Sequence, residues 1–60
     1  MTRYQKNDEV DFVPYMVCRG RVISTRGQAY DTVYTIEVYG EYGIEIHEIS
    51  ERDIIRKVIE

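Results

Sequence analysis

The chain has 60 residues, with eight Lys and Arg against eleven Asp and Glu, one His and one Cys. A domain this short buries only about 60% of the surface its unfolded chain exposes, so one small core is all it can build. One cysteine excludes an internal disulfide, one Cys with one His is too small a set for a structural zinc site, and a net charge of −3 disfavours non-specific attachment to nucleic acid, which depends on Lys and Arg neutralising phosphates.

Period-two alternation recurs along the chain and helical periodicity is scarce. Residues 1–6 read as an N-terminal arm on a single domain spanning 1–60. The first strand is Glu9–Val13, with Val10 and Phe12 on one face and Glu9 and Asp11 on the other. Pro14 ends it, because proline cannot donate to a ladder. Pro14 and Tyr15 lead into a second strand over Met16–Ser24. Cys18, Gly20 and Val22 share one face of it, Arg19 and Arg21 the other. Gly20 is the expected site of a bulge or bend. Thr25–Asp31 reads as a polar loop.

The third strand, Val33–Tyr39, alternates most clearly: Tyr34, Ile36 and Val38 against Thr35, Glu37 and Tyr39. Gly40-Glu41-Tyr42-Gly43 is a hairpin turn in which glycine supplies positive φ. In the fourth strand, Ile44–Ile49, we expect Ile44 and Ile46 in the core and Glu45 and His47 on the opposite face. Ser50–Asp53 reads as one 3₁₀ turn capped by Ser50, followed by a last strand, Ile54–Ile59. An alternative makes Ser50–Glu60 an amphipathic helix, since Ile54, Ile55, Val58 and Ile59 fit helical spacing. The expected core is Val10, Phe12, Val22, Tyr34, Ile36, Val38, Ile44, Ile46 and Val58.

This order of strands, mid-strand glycine, tight hairpin and 3₁₀ turn resembles the SH3-like barrel family. Asn7-Asp8-Glu9-Val10 is similar to the Gly-Asp-x-Val opening of Tudor-like and KOW-like barrels, and Gly20-Arg21-Val22-Ile23 to their second strand. Tyr34-Thr35-Ile36-Glu37 resembles their third strand, and Ser50-Glu51-Arg52-Asp53-Ile54 their Ser-Glu-x-Asp-Leu step into the last. The resemblance covers residues 7–59 and implies an all-β, five-stranded SH3-like barrel with a short 3₁₀ turn before the last strand. The spacing is also similar to that of plasmid-encoded type II dihydrofolate reductases, which carry Val-Gln-Ile-Tyr on a pore-lining strand. Here that segment is Ile44-Glu45-Ile46-His47, and the basic residue expected on the first strand falls near Phe12 or Val13. These departures remove polar groups the reductases use, so the resemblance carries over the fold and leaves the reductase activity as a second alternative.

Nucleophilic catalysis requires a nucleophile, a base and an orienting group. Cys18 shares the face of Val22 and reads as a small buried apolar residue; His47 reads as a surface histidine. Glu41, Glu45, Glu48 and Glu51 read as a solvated acidic face. No enzymatic activity, cofactor or metal is expected. Tyr15, Tyr30, Tyr39 and Tyr42 lie at turns, where a Tudor-like domain places an aromatic cage with an acid such as Glu41 nearby; covering barrel ends or an interface is the plainer use. Lys6, Arg19, Arg21 and Arg26 are the candidate nucleic-acid-binding residues of an alternative KOW/Tudor-like function, although Arg19 and Arg21 are also placed to pair with Glu37 across strands.

The leading expectation is a small non-enzymatic interaction module that self-associates or docks on a host protein through Val13, Tyr15, Ile23, Tyr39, Tyr42 and Ile49, apolar positions expected to face outward. The N-terminus has no apolar leader, and no stretch approaches the roughly 20 apolar residues of a membrane span. With the lone cysteine, this gives the expectation of a cytoplasmic protein without membrane contact. An initiating Met and the absence of a visible tag read as a complete small gene product of the phage or plasmid type.

Overall fold

The computed structural model describes residues 3–13, 17–28 and 31–59. They form five antiparallel strands: β1 (Glu9–Phe12), β2 (Cys18–Gln28), β3 (Asp31–Gly40), β4 (Gly43–Ser50) and β5 (Ile54–Lys57). A 3₁₀ turn, Glu51–Asp53, joins β4 to β5. The sheet order is β4-β3-β2-β1-β5, so β4 and β5 are its two edges and do not pair to close it. The sheet nevertheless curls: the ring of Phe12 on β1 lies 5.9 Å from that of His47 on β4, although two strands separate β1 from β4 in the ladder.

Alternation sets the core. Val10 and Phe12 from β1, Val22 from β2, Tyr34 and Ile36 from β3, Ile49 from β4 and Ile54 from β5 are buried together, with Cys18 and Val38 packed against them. Tyr4 joins them from the N-terminal arm, its ring edge-on to Tyr34 at 5.4 Å. The Tyr34 hydroxyl accepts the backbone N–H groups of Arg3 and Tyr4 at 3.1 and 3.2 Å, which satisfies a buried phenol and ties the arm down. The arm then turns through Gln5–Asp8, where Asn7 takes a φ of 78°. Asn tolerates that left-handed conformation better than most residues. Asn7 N–H donates to the Val22 carbonyl and Val22 N–H to the Asp8 carbonyl, both at 2.8 Å.

Two expectations about β2 are corrected. The bulge lies at Ile23, where the register with β3 slips between Val22 and Ser24, and not at Gly20. Gly20 is needed for close approach: a Cβ there would stand 2.5 Å from Ile36 Cγ2 and 2.7 Å from the Glu37 carbonyl oxygen. The stretch read as a polar loop is ladder as far as Gln28 and again from Asp31, with Thr25 opposite Tyr34 and Gly27 opposite Thr32. Thr25, Arg26 and Gly27 of this stretch are exposed.

The expected burial of Ile44 and Ile46 is also overturned. They are 55% and 56% exposed, while Ile49, expected to face outward, is 8% exposed. The two-residue loop Glu41-Tyr42 fixes the register by pairing Gly40 with Gly43. From there Ile49 falls opposite Tyr34 and His47 opposite Ile36, on the inner face, while Ile44 falls opposite Tyr39 and Ile46 opposite Glu37, on the outer face. Ile44 and Ile46 differ in parity from Ile49, so no flat strand can bury all three. Gly43 supplies the loop's unusual backbone, with a φ of 123°. Val58, also expected in the core, is only half-buried. Ser50–Glu60 is not a helix over its described part. Ser50 makes no side-chain cap; its hydroxyl donates to Asp31 instead.

Candidate interaction surface

The outer face of β3 and β4 carries the most apolar exposure that register brings together. Tyr39, 72% exposed, stands opposite Ile44, and Ile46 lies two residues further along β4. Tyr42, in the hairpin loop next to them, is almost wholly exposed. Beside Tyr39 a cleft of about 230 Å³ is lined by Glu9, Arg19, Gly20, Arg21, Glu37 and Tyr39. Gly20 lines it with backbone alone, since a Cβ at that position would point to the inner face against Ile36 and Val38. Further along the same face Arg26 reaches Glu48 at 3.7 Å, both well exposed, a pair that contributes little to stability. The result is a short apolar strip with charged flanks.

A second cluster orders the β1 side of the same face. Asp11 is 3% exposed although it points away from the core, because Arg19 from β2 and Arg56 from β5 close over it. Arg19 donates from Nε and Nη2 to the two carboxylate oxygens at 2.8 and 3.3 Å, and Arg56 Nε donates at 2.9 Å. These charge-assisted bonds, with Arg19 first, hold the Asp11 carboxyl down at about 2 against an ordinary value of 3.8. The same contact raises the Arg19 guanidinium. Arg19 thus pairs with Asp11 and not with Glu37, while Arg21 does sit opposite Glu37 in the ladder.

On the inner face at the open edge, His47 Nε2 lies 3.2 Å from Glu45 Oε1, and the His47 ring leans on Phe12. The expected placement of Glu45 and His47 on one face is met, but it is the concave face. Cys18 is half-buried against the core and free. Among the described residues, no group of three His, Cys, Asp or Glu is placed to hold a metal ion. Among them, too, no helix is long and apolar enough to cross a membrane.

Of the six positions read as protein-binding, Tyr39 and Tyr42 lie on or beside the apolar strip. Val13 is moderately exposed after β1, Ile23 is half-buried in the bulge, and Ile49 is core. Tyr15, like Tyr30 of the proposed cage, lies outside the described residues. Of the alternative basic set, Arg19, Arg21 and Arg26 share the outer face, where Arg19 is tied to Asp11, Arg26 leans toward Glu48 and Arg21 stands opposite Glu37, while Lys6 is exposed in the N-terminal turn. The sequence reading missed Ile44 and Ile46 as surface residues. The signal was available, since a two-residue loop between Gly40 and Gly43 fixes which residues of the fourth strand face those of the third. No protein family, curated protein or solved structure matches this chain.

Proposed function

We propose that this protein is a small non-enzymatic interaction module, an SH3-like curled sheet whose outer β3–β4 face binds another protein, either a second copy or a host protein. The observation that carries the reading is the strip Tyr39–Ile44–Ile46. Three large apolar side chains, more than half exposed, are set side by side by strand register. Water-exposed apolar surface of this kind is costly, and its grouping marks a contact surface. The strand order and the 3₁₀ turn before the last strand support the SH3-like arrangement. A protein partner is favoured over nucleic acid because Arg19 and Arg26 already face carboxylates and Arg21 stands opposite Glu37 in the ladder, so the face brings little net positive charge to phosphate.

Native mass spectrometry of the protein isolated from the cells that produce it tests this. The expected result is a complex of defined stoichiometry, homomeric or with a second protein, that Tyr39→Ser combined with Ile44→Ser dissolves. A wild type that is monomeric and unaccompanied at high micromolar concentration contradicts it.

A further inference from the structure

We infer that β4 pairs with β4 of a second copy, antiparallel about a two-fold axis at Ile46, joining two sheets into one. This rests on the reading of the β3–β4 region as a contact surface and specifies a second copy as the occupant of its edge. A sheet edge offers unpaired N–H and C=O groups, and natural edges are usually blunted by shortness, bulges, proline, charged residues above all lysine, or an inward-pointing charge. The β5 edge is blunted. It has four residues, its ladder to β1 is irregular at Asp11/Phe12, and it carries Arg56 and Lys57, which are tied to Asp11 and Asp8. The β4 edge has one such device, an inward-facing acid that His47 accompanies, and lacks the others. It runs Gly43–Ser50 without proline, lysine or arginine, and pairs with β3 from Gly40/Gly43 to Val33/Ser50 without a register shift. Its one inward-facing charge is Glu45.

The sequence of β4 selects the register. In a two-fold antiparallel pair, facing residues share parity, so inner faces meet inner faces. The midpoint of Gly43–Ser50 falls between Ile46 and His47. The two longest pairings are therefore centred on Ile46, using residues 43–49 of each copy, or on His47, using residues 44–50. Centred on Ile46, Glu45 of each copy faces His47 of the other, Ile46 faces itself, and Glu48 is the one carboxylate that meets an apolar side chain, Ile44. Centred on His47, Glu45 faces Ile49 and Ile46 faces Glu48, so every carboxylate meets an apolar side chain. Centred on Glu45, two carboxylates oppose each other, which is destabilising. Charge complementarity thus leaves one long register. Within each copy Glu45 and His47 already lie 3.2 Å apart, so pairing extends that contact into a row of alternating acid and imidazole across the seam. On the outer face Ile46 meets Ile46, and each Tyr39–Ile44 pair lies next to them with Glu48 of the other copy facing Ile44.

A cysteine scan in a Cys18→Ser background tests the register. Residues directly opposed in an antiparallel ladder have Cα atoms about 4.5–5.5 Å apart, within the roughly 4.4–6.8 Å a disulfide spans. Ile46→Cys, at an exposed position that leaves the core intact, should give covalent dimer under mild oxidation at least about tenfold faster than Ile44→Cys or Glu48→Cys. Adding Glu45→Lys, which sets a lysine against His47 of the other copy, should slow Ile46→Cys coupling to the rate of the other two. Equal rates at the three positions, a maximum at 44 or 48, or a purely monomeric protein by sedimentation at high micromolar concentration overturns the pairing. A monomer that still holds a different protein through Tyr39 ends the self-pairing and leaves the outer face as a binding surface.

Discussion

Exchanging the two isoleucines of β4 for alanine, one at a time, measures which face of the strand is inside. Ile49 is 8% exposed, opposite Tyr34. Truncating so buried an isoleucine removes its transfer free energy and leaves a cavity, at a cost of about 2–5 kcal/mol. Ile46 is 56% exposed. At about 0.8 kcal/mol per fully buried methylene, the same truncation at a half-exposed site costs about 1 kcal/mol and leaves no cavity. At roughly 0.05–0.15 kcal/mol per residue this domain has only a few kcal/mol in all, so Ile49→Ala brings it near unfolding and Ile46→Ala does not. Urea melts at low micromolar protein, where self-association adds nothing, give both values from midpoints at constant m. An Ile46→Ala cost equal to or larger than that of Ile49→Ala would refute the inward placement of Ile49, and with it the outer apolar strip.

Gly20→Ala should destabilise by about 1–3 kcal/mol in thermal melts, because the new methyl presses on Ile36, the Glu37 carbonyl and Val38 at distances that require β2 or β3 to shift; a neutral or stabilising result would show that the strands do not approach so closely. Tyr34→Phe removes the acceptor for two backbone N–H groups, costing about 1–3 kcal/mol at about 0.5–1.5 per bond, and amide exchange at Tyr4 should speed up while exchange at Ile36 stays slow. Asp11 is held below its ordinary 3.8, at about 2, by Arg19 and Arg56, so its contribution to stability is complete above about pH 4 and is lost as the pH falls through about 2. The stability gap between wild type and Asp11→Asn should therefore narrow over that window, and a gap that stays constant from about pH 5 to pH 2 would contradict the arginine contacts.

The sequence carries the elements of this fold better than their parity. Five strands, the hairpin at Gly40–Gly43 and the 3₁₀ turn follow from alternation and turn residues, which are local. The inner face of β1 and β3 follows too, because Val10 and Phe12, and Tyr34 and Ile36, are apolar against charged or polar neighbours. On β4 apolar residues occur at both parities, Ile44 and Ile46 against Ile49. The choice was made by a long-range term, the packing of Ile49 beside Tyr34, acting through the register of a two-residue loop. Tyr4 was missed because its burial depends on a single hydroxyl thirty residues away that accepts the arm's backbone. Alternation puts Asp11 on the outer face, yet its near-complete burial comes from two arginines on strands that alternation alone does not place beside it.

On the proposed function, the outer face of β3 and β4 is where this protein meets another. A photo-crosslinking amino acid at Tyr39, with a control at the exposed Arg52 of the 3₁₀ turn, measures this in the cells that produce the protein. The expected result is a single discrete adduct from position 39, with itself or with one other protein, that Ile44→Ser removes, and no adduct from position 52. No adduct from position 39, or equal adducts from both positions, would contradict the claim.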